Sequence, residues 1–355
     1  MISPSALLEV ELKNIIYNYK YLSSLNKGQH TGATIKANAY GLGDKKIIKV
    51  LYKAGCRHFF LATLDEAIKL RQTFKYGYLY ILNGIKKSDF SIYLNKKKII
   101  PIINSIQNIE EIISLNKKFK VGVHIDTGIN RLGIPISDLD RFRISKKITI
   151  ILVMSHLASA DEKNNLYNNK QSNLFKKITN KYFKSNLKSL SNSAGIALGN
   201  NYHYNLVRPG IAIYGGHNNT ALKKKIKPVV KLIAEILQIK SLYKNEFVGY
   251  NQTYCSKRKI IIAILGIGYA DGIFRQLSNK GYVYYKKYKF RIIGRISMDT
   301  ITIDITNHEK LLKVGKFVEL INHKNDIEKL AKSCDTISNE ILTSISNRVI
   351  RVYKN

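Results

Sequence analysis

The chain has 355 residues and is 45% apolar, more than one ordinary core needs and enough to fill two. Its 59 basic and 24 acidic residues leave a formal charge of +35, but the basic residues run through every segment among many Ile, Asn and Tyr, with no zinc-finger, RNP-type or helix-turn-helix signature; the charge therefore reads as an A/T-biased coding sequence rather than a nucleic-acid surface. Three scattered cysteines without C-x-x-C spacing exclude a disulfide framework and a zinc site, Glu9 and Glu11 fall where a signal peptide needs an unbroken apolar core, and the longest apolar runs are too short to span a bilayer, so a cytoplasmic protein with no membrane partner and no metal is expected.

In chain order the first strong signal is "GATIKANAYGLG" at 32–43. Ala33-Thr34-Ile35 reads as a buried strand, Lys36 ends it, and Gly41 and Gly43 break the chain before a helical pattern that begins at Asp44. That puts Lys36 at a strand's carboxyl end, where α/β proteins build their sites. Strand-like runs continue with "RHFFLA" (57–62), "YLYIL" (78–82), "IIPII" (99–103), "KVGVHID" (120–126), "ITIILVMS" (148–155), "LKSLSN" (187–192) and "YNLVRPGIAIY" (204–214), with helical patterns such as "LDEAIKLRQTF" between them. Eight strands with helical crossovers predict an N-terminal (β/α)8 barrel of the TIM type over residues 1–225. From 226 to 355 the runs "VVKLIAEILQI", "KIIIAILGIGY", "GYVYYKKYKFRIIG", "MDTITIDI" and "KFVELI" predict a mostly β C-terminal domain, helical only near 326–346.

The polar residues at the barrel strand ends are Lys36, His124 with Asp126 and Arg131, His156, Asn192-Ser193 and Arg208. A barrel would bring them to one mouth. The loops after the seventh and eighth strands, where barrels often bind phosphate, are "NSAGIA" and "RPGIA", small residues that expose backbone N–H groups. A lysine able to form a Schiff base, facing a phosphate cradle, suggests pyridoxal 5′-phosphate.

The ordered motifs "IKANAYGLG", "DTGINRLG" (126–133), "SHLASAD" (155–161), "NSAG", "VRPGIAIYG" (207–215), "GYADG" (268–272) and "GRISMD" (294–299) span essentially the whole chain and resemble those of the bacterial alanine racemases. The resemblance implies that Lys36 holds pyridoxal phosphate covalently and that Tyr40, Ser193 and the backbone at Gly210 and Ile211 bind its phosphate. It further implies that Arg208 faces the pyridine nitrogen with His156 beside it, and that Arg131 binds the substrate. Tyr269, Met298 and Asp299 would reach the site from the other subunit of a homodimer. Lys36 and Tyr269 would then flank the cofactor plane as two acid–base groups, with a chain from Tyr269 through His156 to Arg208 easing ionisation of the phenol. The implied activity is interconversion of L- and D-alanine, supplying D-alanine for peptidoglycan; a broad-specificity amino-acid racemase is the alternative on the same scaffold.

Two departures from the family pattern stand out. Many members carry a carbamylated lysine seven residues before the substrate arginine, where this chain has His124; Asp126 is one candidate to replace it, and the expectation is that His124 with a small anion such as chloride, held between His124 and Arg131, does so. Some members place a phosphate-binding tyrosine where this chain has Asn347.

Overall fold

The computed structural model describes residues 4–355 apart from 28, 97, 116, 143, 144, 185, 218 and 219. The chain divides into two compact units, Ile15–Ile213 with His217–Lys227, and Met1–Asn14 with Tyr214–Gly216 and Pro228–Asn355.

In the first unit seven parallel strands are neighbours in chain order: Ala33–Thr34, His58–Leu61, Tyr78–Ile81, Ile99–Ile103, Phe119–His124, Ile148–Met154 and Leu187–Ser189. The eighth, Leu206–Val207, pairs in parallel with His30–Thr31, immediately before the first. Main-chain bonds close the barrel there. Asn205 N–H donates to Lys188 O at 3.1 Å and Arg208 N–H to Ser191 O at 2.9 Å on one side, while Gly32 N–H donates to Val207 O at 2.9 Å and Thr34 N–H to Pro209 O at 2.8 Å on the other. Ile99–Ile103 is buried at every position, because side chains of other strands cover its inner face and helices its outer one; such strands read as unbroken apolar runs rather than alternations. Phe60, Tyr80, Ile100, Ile102, Leu152, Met154 and Leu206 pack as one cluster. The crossover helix Asp44–Lys53 buries Ile47, Ile48 and Leu51 on one face, and Leu64–Arg71 starts on a Thr63–Glu66 capping box.

The second unit is built on Val230–Leu242, a 13-residue strand whose register shifts between Ile236 and Gln238. The bulge lets one strand serve two partners: its first half pairs with Ala6–Glu11 and Phe317–Ile321, its second with Ile260–Leu265. Two short helices, Ile327–Ser333 and Ser338–Ser344, follow the strand Phe317–Ile321, as expected for 326–346.

Two details differ from the sequence reading. The N-terminal segment, counted there with the barrel, forms Ala6–Glu11 and adds to the second unit's sheet, antiparallel to Val230–Leu242 and parallel to Ile350–Lys354. Its alternating burial is that of a sheet strand with one covered face. "GYVYYKKYKFRIIG" is two strands, Tyr282–Tyr285 and Tyr288–Arg291, reversed at Lys286, which takes a φ of 56° without any glycine to announce the turn.

Candidate active site

Lys36 leaves the first barrel strand into a left-handed turn. Ala37, Asn38, Ala39 and Tyr40 have φ of 52°, 55°, 53° and 56°, a conformation that costs an L-residue about 1–2 kcal/mol each. Specific bonds hold it. Ala37 N–H donates to Glu66 Oε1 at 2.7 Å, Ala39 N–H to Ile35 O at 2.9 Å, Gly41 N–H to Ala37 O at 2.8 Å, and Asn38 Oδ1 accepts from Asp44 N–H at 2.9 Å. Glu66 Oε2 meanwhile accepts from the N–H groups of Ala62 at 2.7 Å and Thr63 at 3.2 Å, so one carboxylate ties the end of the second strand to the lysine turn. Lys36 is half-buried; burial, and then the charge of Arg131, lower its pKa, against a smaller opposing pull from Glu66. An amine so lowered has more of its nucleophilic, unprotonated form near neutrality.

The same turn carries Tyr40 into the interior. A β-carbon on Gly210 would collide with Tyr40 Oη, so glycine is required there, and burial pushes the phenol up to about 12, keeping it a neutral donor. Ser193 Oγ accepts from Gly210 N–H at 2.9 Å and Ala212 N–H at 3.2 Å. Two accepted bonds orient the Ser193 hydroxyl hydrogen outward. Gly210's own N–H is thus spent on Ser193, and its part in the cradle is to let Tyr40 approach.

Arg208 is buried and donates to Ser189 Oγ, to Ser155 O at 2.6 Å and to Leu190 O at 3.3 Å, with a longer contact of 3.5 Å to His156 Nδ1. Burial lowers its pKa to about 9, which leaves it protonated at neutral pH. Because arginine only donates, His156 Nδ1 must accept and the ring proton sits on Nε2. His156 is held well below its ordinary pKa, by burial first and then by the charges of Arg208, Arg131, His124 and Lys36. Gln171, buried on the helix Leu166–Tyr182, holds the histidine loop: it accepts from Ala158 N–H at 2.8 Å and donates to His156 O at 3.0 Å.

His124 is buried, and burial together with Arg208 depresses its pKa to about 3, so it is neutral. Its tautomer follows from Asn104, whose amide nitrogen donates to Leu82 O at 3.0 Å and Ile102 O at 3.2 Å. Asn104 Oδ1, 3.1 Å from His124 Nδ1, is therefore an acceptor, Nδ1 carries the proton, and buried Nε2 presents a lone pair that has no partner among the described residues. A lone pair repels an anion, which argues against chloride beside His124. Asp126 Oδ1 is committed to its own loop: it accepts from the N–H groups of Gly128 at 2.8 Å, Ile129 at 3.0 Å and Asn130 at 3.2 Å, shaping the segment that presents exposed Arg131.

In the second unit Tyr269, Met298 and Asp299 come together. Tyr269 N–H donates to Ser297 O and Ala270 N–H to Met298 O, both at 3.0 Å, and a β-carbon on Gly268 would strike the Met298 carbonyl. Tyr269 and Met298 are 44% and 52% exposed on this unit. Asn347 is exposed as well.

Comparison with known proteins adds the decisive observation. The family profile "Alanine racemase, N-terminal domain" matches residues 10–218, and "Alanine racemase, C-terminal domain" matches 229–353. The chain belongs to the alanine racemase family. Among its alanine racemase relatives, that of Brucella abortus is 36% identical across 99% of this chain and 94% of its own, and that of Rickettsia akari 37% identical across 98% of each. Alanine racemase from Bartonella henselae, solved with covalently bound pyridoxal phosphate, superposes with a TM-score of 0.94 at 36% identity, covering 99% of this chain and all of that one; the biosynthetic alanine racemase of Pseudomonas aeruginosa gives 0.91 at 26% identity over 99% and 100%.

Set in this alanine racemase fold, the pocket fits pyridoxal phosphate on its own geometry: an amine of lowered pKa, a cradle opened by Gly210 and lined by the Tyr40 and Ser193 hydroxyls, and a buried arginine bonded only to neutral acceptors among the described residues. Sequence reasoning missed Glu66, Asn104 and Gln171. Only Glu66 carried a local signal, the T-x-x-E spacing of its capping box.

Proposed function

We infer that this chain is an alanine racemase that holds pyridoxal phosphate on Lys36 and works as a cytoplasmic homodimer with sites shared between subunits. The observation that carries the reading is the gathering of Lys36, the Tyr40–Ser193–Gly210 cradle and the Arg208–His156 pair at the carboxyl ends of the barrel strands. When bound, pyridoxal phosphate draws electrons from the α-carbon of an attached amino acid and so acidifies its hydrogen. Tyr40 and Ser193 bind the phosphate as neutral donors. Arg208, still protonated, donates toward the ring nitrogen and keeps it unprotonated, which favours return of the α-hydrogen over transamination. Arg131 takes the substrate carboxylate, a charge-assisted contact of about 1.5–3 kcal/mol. Lys36 Nζ moves the proton on one face of the α-carbon and Tyr269 Oη of the second subunit on the other.

Support for the shared site is the exposure of Tyr269 and Met298 on the second unit, which leaves both available to a partner. Support for a cytoplasmic setting is three unpaired cysteines, Cys56, Cys255 and Cys334, and the absence among the described residues of any helix long and apolar enough to cross a membrane. Chiral analysis of the common amino acids after incubation with the cofactor-loaded protein tests the activity. L- and D-alanine should be interconverted fastest; no turnover of alanine, or faster turnover of serine or a basic amino acid, would overturn the assignment.

A further inference from the structure

Arg348 lies in the C-terminal loop, outside every motif the function has absorbed. Its Nε is 3.2 Å from Asp271 Oδ1 and its Nη2 is 2.8 Å from Asp299 Oδ1, so one planar guanidinium joins two loops through two different nitrogens. Both loops carry site residues. The buried Asp271 accepts from Gly268 N–H at 2.9 Å with its other oxygen, fixing the residue before Tyr269, and Asp299 follows Met298, whose carbonyl holds Ala270 N–H at 3.0 Å. The loop bearing Arg348 is itself anchored: Ser346 N–H donates to Asp271 O at 3.1 Å, and Arg351 donates to the carbonyls of Ile345, Ser346 and Val349. An exposed ion pair alone contributes little. This one differs, because one carboxylate is buried and the arginine completes a ring of bonds around the Tyr269 turn: Asp271, Gly268, Tyr269, Met298, Asp299.

We propose that Arg348 is a positioning residue for Tyr269, clamping the "GYADG" turn to the "GRISMD" loop so that the phenol is presented at a fixed place. The inference rests on the reading of Tyr269 as the second acid–base group. Lysine cannot replace the clamp fully, since a point charge does not span two carboxylates in the manner of a guanidinium. Displacement of a reacting group by about 1 Å can cost on the order of 10²-fold, so Arg348→Ala should slow turnover by about ten- to hundredfold, with Arg348→Lys in between.

The discriminating measurement is exchange of the α-hydrogen with deuterated solvent, followed separately from L- and D-alanine on the cofactor-loaded dimer of wild type, Arg348→Ala, Arg348→Lys and Tyr269→Phe. Each acid–base group serves one face, so Arg348→Ala should slow exchange from one enantiomer, the same one that Tyr269→Phe slows, and leave the other near wild type. Hydrogen–deuterium exchange of the backbone should show faster opening confined to the peptide around 266–273. Wild-type exchange from both enantiomers in Arg348→Ala, or equal loss from both, would overturn the positioning role while Tyr269→Phe remains selective. If Tyr269→Phe itself is not selective, the reading of Tyr269 fails instead, and the two failures are told apart.

Discussion

His124 condenses how a single side chain is decided by its neighbours. Asn104 fixes its proton on Nδ1, burial keeps it neutral, and Nε2 is left as a buried acceptor within the field of Arg131 and Arg208. Arg131 has donors to offer, and a hydrogen bond to a charged group is worth about 1.5–3 kcal/mol. His124→Phe should therefore raise the KM for L-alanine by roughly tenfold or more with a smaller effect on kcat, His124→Gln should recover part of the loss, and neither chloride nor bicarbonate should change the wild-type KM at constant ionic strength. A KM that falls on adding either anion would restore the anion reading. The same residue sets a pH dependence. His124 and His58 have pKa values lowered by burial to about 3 and about 4, so the unfolded chain takes up protons below its ordinary histidine pKa of about 6.5 while the folded one does not. Their stabilisation is complete above that value and lost progressively down to about 4 and 3, at about 1.4 kcal/mol per pH unit for each. Thermal melts of wild type and of His58→Gln between pH 7 and pH 4 check this: the variant should show the shallower fall, and identical slopes would mean that His58 is protonated in the fold.

The lysine turn is the element on which the site depends. Four successive left-handed residues persist only because Glu66, Asn38 and the first strand supply their bonds, and the strain sits where the amine must be aimed. Glu66→Ala removes the acceptor of three backbone N–H groups and should weaken pyridoxal phosphate binding at least about tenfold, measured by equilibrium dialysis of the cofactor. Glu66→Gln keeps the shape and one accepting oxygen, loses the acceptor on the other side, and drops the charge that raises the Lys36 pKa, so in the fraction that still binds the cofactor, attachment followed by absorbance should extend to lower pH. A shift to higher pH in Glu66→Gln would show that the carboxylate does not act on Lys36 electrostatically.

For the molecule as a whole, the proposed shared site requires that neither subunit suffice alone. Lys36→Ala and Tyr269→Phe chains should each be nearly inactive, and co-refolding them in equal amounts should restore about a quarter of wild-type activity: half of randomly paired dimers are hybrids, each with one intact site. Hybrids isolated by differential tags that stay inactive would remove the shared site.

The barrel, the β-rich second half and the order of the site motifs were legible in the chain itself, because unbroken apolar runs mark strands covered on both faces and glycines punctuate the loops that carry Lys36, Ser193 and Arg208. Residue types alone also pointed to an amine facing an anion cradle. What stayed hidden depends on contacts between segments far apart in sequence. That Ala6–Glu11 belongs to the second unit's sheet is decided by partners at Val230–Leu242 and Ile350–Lys354, and that "YYKKYK" reverses on itself is decided by pairing rather than by a turn residue. Glu66 on its helix meets Ala37 in the lysine turn, Asn104 meets His124 from the end of the neighbouring strand, and Arg348 meets Asp271 and Asp299 across two loops. Local chemistry determines which groups a chain can bring to a site; protonation and aim are set by burial and hydrogen-bond partners, which exist only once the tertiary structure has formed.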